Sequence, residues 1–225
     1  MPSIWTRAQP PAFSKTLGLN HQEMVGRKIL LEFDPASQYE KVIHDFVTEA
    51  LVNVELTFVF TRRSGNIHSF LSAQKAVKFF CLTQQVNVPR ELSENETLLP
   101  SNDTSLMLDA LDQTLKTHPA DKVSMVFDSL SDLVVSFGFE KTYNFVKYTT
   151  DLLSSPRITA LFLLNQTAHD PNVSSSLRGL FSDQVSIGKD GIQAVKLPKA
   201  EVATKEIEKV PTKQYGNNAK KARGV

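Results

Sequence analysis

Two short apolar runs constrain this chain more than anything else in it: VSMVF at 123–127 and ITALFLL at 158–164. Each is too short for a buried helix, and each breaks off abruptly into polar residues, Asp128-Ser129 in the first and Asn165-Gln166 in the second. A run that is almost wholly apolar, rather than apolar at alternate positions, predicts a strand covered on both faces. Between them, SDLVVSFGFEKTYNFVKYTTDLLSS (131–155) has the length and composition of a helical crossover. Two parallel strands joined by helix follow, with their polar residues at the carboxyl edge, where open α/β sheets carry their sites.

The rest of the chain repeats the pattern. RKILLEF (27–33) reads as a strand broken by Asp34-Pro35, and Ser37 and Glu40 stand at capping-box spacing before a helix expected over 38–52. Tyr39, Ile43, Phe46, Val47 and Ala50 form its buried stripe. A strand over 55–60 leads to Thr61-Arg62-Arg63, a helix over 66–74 follows, and VKFFCL (77–82) is the next strand. Residues 83–103, with Pro89, Pro100 and several Asn and Glu, read as one long connection. Asn102 or Asp103 caps a helix to about Lys116 with Thr104, Leu108, Leu111 and Leu115 on one face, and Gly138 divides two helices after the 123–127 strand. A short helix near 174–181 precedes a closing hairpin, DQVSIG and GIQAVKL. The expected fold is therefore α/β, a mostly parallel sheet with helices on both faces and a C-terminal antiparallel hairpin. The expected organisation is an extended arm with one short turn (1–24), the α/β domain (25–198) and a basic, unstructured tail (199–225).

Composition removes several functional classes. A single cysteine, Cys81, excludes an intramolecular disulfide and a multi-cysteine metal site and predicts a buried small hydrophobe in a reducing compartment. No apolar run reaches the roughly 18 residues of a membrane helix, and MPSIWTRAQPPAF has no signal-peptide hydrophobic region. The expectation is a cytoplasmic protein with no membrane contact. The five histidines show no metal-ligand spacing, and no Ser-His-Asp or Cys-His arrangement can be assembled. From Lys199 onward seven basic and three acidic residues give the tail a charge of +4, which leaves −3 on the body.

The order of pieces from Arg27 to Leu197 resembles the RecA-like ATPase core, and within it the KaiC-like branch common in archaea. VSMVFDSLSDLV is similar to that family's Walker B strand, LFLLNQT to the strand bearing its Asn-Gln sensor pair, and DQVSIGKDGIQAVKL to its closing strands. The resemblance implies a magnesium-holding role for Asp128 and a ligand-sensing role for Asn165 and Gln166. It also implies a P-loop after the first strand, where this chain reads EFDPASQYEKVIHDF, without glycine and with Asp34 where phosphate would lie. GxxxxGK(S/T) occurs nowhere else, and Thr61-Arg62-Arg63 stands where the family has its catalytic glutamate.

Losing the phosphate cradle, its lysine and the general base removes what phosphoryl transfer depends on, positioning and charge neutralisation. The sequence therefore predicts a non-catalytic pseudo-ATPase that uses no cofactor and holds no metal, and that acts in regulation or assembly through protein contacts. A P-loop RecA-like ATPase or a second copy is the expected partner. Asp128, Ser129, Asn165 and Gln166 are the remnants of a nucleotide site, with Asp128 also read as a cap on the Ser129–Ser131 turn. Arg62, Arg63, Lys220, Lys221 and Arg223 are the partner-binding candidates. Two other readings stay open: a nucleic-acid-associated module using those basic residues, and a nucleotide binder with an atypical site on the same edge.

Overall fold

The computed structural model describes residues 12–189 and 191–198. Nine strands form one sheet: β1 (Lys28–Phe33), β2 (Leu56–Arg62), β3 (Val77–Thr83), β4 (Arg90–Ser93), β5 (Glu96–Pro100), β6 (Val123–Phe127), β7 (Ile158–Asn165), β8 (Asp183–Gly188) and β9 (Gly191–Lys196). Their order is β4-β5-β3-β2-β6-β7-β1-β8-β9, parallel from β5 to β8, with antiparallel β4 and β9 at the two edges. The fold class read from the sequence holds, closing hairpin included.

Among the described residues eight helices cover the sheet: α1 (Phe13–Thr16), α2 (His21–Met24), α3 (Tyr39–Val52), α4 (Asn66–Leu71), α5 (Thr104–Thr117), α6 (Leu130–Phe137), α7 (Phe139–Leu152) and α8 (Pro171–Arg178). The core divides cleanly by strand parity. Ile29, Leu31, Val59, Val126, Leu161 and Leu163 pack with residues of α1 to α4 on one face. Leu30, Phe58, Phe60, Met125, Phe127 and Phe162 pack with α5 to α8 on the other. Both faces being covered is why β6 is buried at every position and β7 at every position but Asn165, with Ser124 and Thr159 the polar exceptions in otherwise apolar runs. Gly138, at φ 82°, makes the break between α6 and α7 that side-chain residues rarely adopt.

Four expectations need correction, three of them beyond residue 24. The 83–103 connection contains the β4–β5 hairpin, and β5 adds itself in parallel to β3. Its signal is only two buried neighbours, Leu98 and Leu99, beside a strand β4 exposed at every position, so no periodicity marks it. The short helix after β7 starts earlier, at Pro171, because Asp170 caps it by accepting from the Asn172 and Val173 amides. The capping box at Ser37 and Glu40 does not form. Ser37 instead donates its hydroxyl to the Asp34 carbonyl at 2.6 Å, and α3 starts at Tyr39 without a side-chain cap.

Residues 12–24 form two single turns of helix rather than an extended arm with one turn, and Phe13 and Met24 belong to the core. A polar clasp holds this segment down. His21 places Nδ1 3.0 Å from Glu49 Oε1 and Nε2 2.9 Å from Glu55 Oε1. The Ser14 amide donates to the second oxygen of Glu49, and the Ser124 hydroxyl to that of Glu55. His21→Ala leaves two buried carboxylates facing each other across an empty site and is expected to cost about 3 kcal/mol, read in denaturant unfolding. Glu55→Gln in the same chain should return part of that loss; equal destabilisation by both variants would show that charge is not what the clasp neutralises.

Candidate functional site

The parallel strands bring the ends of β1, β2, β3, β6 and β7 to one edge of the sheet. β7 lies between β1 and β6, so Asn165 sits between the corner at Asp34 and the carboxylate at Asp128. The sequence-predicted residues of the body therefore share one edge, but each is engaged differently from expectation.

The β1–α3 corner is filled by its own side chains. Asp34 Oδ1 accepts from the Ala36 amide at 2.8 Å, and the Asp34 carbonyl accepts from both the Ser37 amide and its hydroxyl. Tyr39 stacks on Phe33 with ring centroids 4.1 Å apart, and burial pushes its phenol up to about 12. The Ala36 and Ser37 amides, which could face an anion, are thus spent on Asp34.

Asp128 is not the expected cap. Its amide donates to the Phe60 carbonyl at 2.8 Å, continuing the strand, and this turns its carboxylate back toward β2. There Oδ2 accepts from the Thr61 hydroxyl at 2.6 Å. Ser129 takes the capping role at α6 instead, its hydroxyl oxygen accepting from the Asp132 amide. Asp128 and Ser129 border a crevice of about 10 Å³ walled by Phe60, Leu82, Met107, Phe127, Leu133 and Phe145, room for a water at most. Burial raises the Asp128 carboxyl to about 6, opposed by the Thr61 hydrogen bond and reinforced by the neighbouring charge of Asp132.

Asn165 Oδ1 accepts from the amide and hydroxyl of Thr167, and its own amide donates to the Ser131 hydroxyl oxygen. The Gln166 amide donates to the Phe33 carbonyl. The pair thus ties β7 to α6, to the following turn and to β1. Arg62 and Arg63 lie where β2 ends, and each meets a carboxylate: Arg62 Nε is 3.1 Å from Asp132 and Arg63 Nε 3.1 Å from Glu96. Both line a polar cleft of about 590 Å³ together with His68, Gln84, Gln85, Ser101 and Glu96. A second space of about 680 Å³ opens on the same edge beside the β1–α3 corner, lined by Ser37, Gln38, Glu40, Lys41, Asn66, Ser69 and Phe70. Lys220, Lys221 and Arg223 lie outside the described residues.

Sequence reasoning missed Thr61, whose hydroxyl sits on Asp128, because it was read as lying beyond the end of its strand. It also missed the cluster of His68, Cys81 and Glu96 beneath the cleft. Burial and the adjacent Glu96 hold the Cys81 thiol up to about 12. The residues come from α4, β3 and β5, and no spacing rule joins them.

A model of a family of unknown function, DUF7504, matches residues 90–187, from β4 into β8. That segment includes Asp128 and Asn165 and excludes Arg62 and Arg63. No curated protein matches the chain. Among solved structures, one from Pyrococcus horikoshii OT3, described as a structural study of a project target, superposes with a TM-score of 0.60 at 17% identity. The match covers 86% of this chain and 96% of that one. At that identity the likeness is one of fold.

Asp128 sets a pH dependence whose sign follows from its environment. Its folded pKa lies above its unfolded value, so the folded state holds the proton between about pH 4 and pH 6 while the unfolded state releases it. This contribution is fully present below pH 4 and is lost as pH rises to about 6, on the order of 3 kcal/mol at 1.36 kcal/mol per pH unit. Asp128→Asn keeps an oxygen for Thr61 without the charge. It should therefore match the wild type near pH 4 and exceed it at pH 7, measured as paired urea unfolding curves.

Proposed function

We propose that this protein is a non-catalytic member of the RecA-like class, related to the KaiC-like branch, that acts in regulation or assembly through protein contacts. The observation that carries the reading is the β1–α3 corner. An anion-binding loop presents free backbone amides, usually with glycines to let the backbone wrap the phosphates. Here a carboxylate stands at that point and takes the Ala36 amide for itself, while Tyr39 fills the space above Phe33.

The state of Asp128 points the same way. A magnesium ligand needs an accessible oxygen, whereas this carboxyl is buried, accepts from the Thr61 hydroxyl and borders a crevice with no room for phosphate. Asn165 is spent on the Thr167 turn. The edge keeps the residue types of a nucleotide site but uses them for internal hydrogen bonds. A P-loop ATPase or a second copy of the chain is the partner class this favours.

Mg-ATP at millimolar concentration is expected to leave the melting temperature unchanged in the wild type and in Asp128→Asn, with no phosphate release. Linkage makes the measurement decisive, since ligand at 100 times its dissociation constant would add about 2.7 kcal/mol. A Mg-nucleotide stabilisation of the wild type that is absent from Asp128→Asn would overturn the proposal.

One observation favours a second reading. The cleft beneath Arg62 and Arg63 has the volume and polar lining of a small-ligand site, and with the basic residues Lys220, Lys221 and Arg223 it would suit a phosphate-bearing ligand or nucleic acid. This reading predicts a gel shift that falls steeply with salt, as counterion release requires, and weakens in Arg62→Ala/Arg63→Ala. An absent shift at low salt would remove it.

A further inference from the structure

We infer that His68, Cys81 and Glu96 form a three-ligand site for a borderline-soft divalent cation of the zinc type, opening into the cleft between β2, β3 and β5. The sheet itself brings them together. β3 and β5 are parallel, and Glu96 stands opposite Phe79 in register, so Glu96, Phe79 and Cys81 project from the same face. α4 crosses that face and sets His68 edge-on to Phe79, ring centroids 5.0 Å apart. One ligand atom from each residue lies within 4.8 Å of the other two.

That spacing is close to what a metal requires. Bonds of about 2.0–2.3 Å from a tetrahedral zinc to nitrogen, oxygen and sulfur place the ligand atoms about 3.3–3.6 Å apart. The difference is within the reach of rotations at His68 and Glu96, while Cys81 is fixed in the strand and fully buried.

The donor set also discriminates. A thiolate and an imidazole disfavour magnesium and calcium, and the carboxylate completes a set suited to zinc or cobalt. Glu96 Oε1 is a buried acceptor that receives no well-directed hydrogen bond, although Arg63 Nε is 3.1 Å and His68 Nε2 3.9 Å away. The oxygen thus has cationic company but no proper donor, the condition a metal ion would satisfy. Arg63 is 44% exposed on the cleft side and can swing into solvent as a cation enters. Three protein ligands leave the fourth position directed at a cleft of about 590 Å³, available to water or a small anionic ligand. Loading replaces the Cys81 S–H bond with a sulfur–metal bond and releases that proton to solvent.

Cobalt(II) is the probe for the test, because a thiolate bound to it gives a charge-transfer band in the near ultraviolet. The full chain, freed of metal with a chelator, is titrated with cobalt and then with zinc. The expected result is a saturable band at one metal per chain, abolished by zinc, with a higher melting temperature when zinc is bound. Cys81→Ser should eliminate the band. His68→Ala and Glu96→Gln should each weaken binding by more than the roughly 10–100-fold that losing a supporting partner costs. Glu96→Gln keeps the shape of the side chain, and the melt of each metal-free variant establishes that it is folded. Absence of a saturable band overturns the site, as does a band that survives Cys81→Ser or wild-type affinity in both His68→Ala and Glu96→Gln.

Discussion

An aromatic ladder across the middle of the sheet is the interaction on which the rest of the structure depends. Phe80, Phe60, Phe127 and Phe162 stand opposite one another in register on β3, β2, β6 and β7, with successive ring centroids 4.5–4.8 Å apart and Phe181 closing the row. Aromatic rings bury more apolar area than other side chains, and their stacking adds specific geometry to that burial. A slip of one residue in any of these strands would turn its phenylalanine to the opposite face. The ladder thus fixes the register of four parallel strands, and with it the level at which each reaches the carboxyl edge. Asp128 follows Phe127 directly and Thr61 follows Phe60, so the hydrogen bond between them is a consequence of the ladder.

The same register gives the edge its character. The polar side chains of this edge are paired within the chain: Asp34 with its own turn, Asp128 with Thr61, Asn165 with Thr167, and Arg62, at the surface, with Asp132. Polar groups at strand ends need hydrogen-bond partners, and here the chain itself supplies them. Elsewhere the body handles buried charge in the same way. Arg27 meets Asp183 at the start of β1 and β8, and Arg178 reaches from α8 to Glu32 within β1. The Cys81 cluster differs, because its carboxylate oxygen is left without a well-directed donor beside a space open to solvent.

Element types were legible in the sequence wherever one periodicity dominated. The 123–127 strand, the Gly138 break, the closing hairpin and all five stripe residues of α3 are where the pattern places them, because burial on one or both faces writes directly into residue order. The β5 strand was not legible, since it joins the sheet through two apolar residues and a hairpin with an exposed partner. The sequence also showed that the chain lacks a glycine-rich phosphate loop, a matter of composition alone.

What only the tertiary structure decided is which side chains meet. Asp128 could have capped α6 or faced β2, and the continuation of β6 to the Phe60 carbonyl settled it for β2. His68, Cys81 and Glu96 belong to three elements, one of them read as loop, and only the β3–β5 pairing sets them side by side. Local propensity acts over a few residues and leaves its mark on the chain. Contacts between distant elements depend on strand order and register, which arise from packing the whole sheet at once.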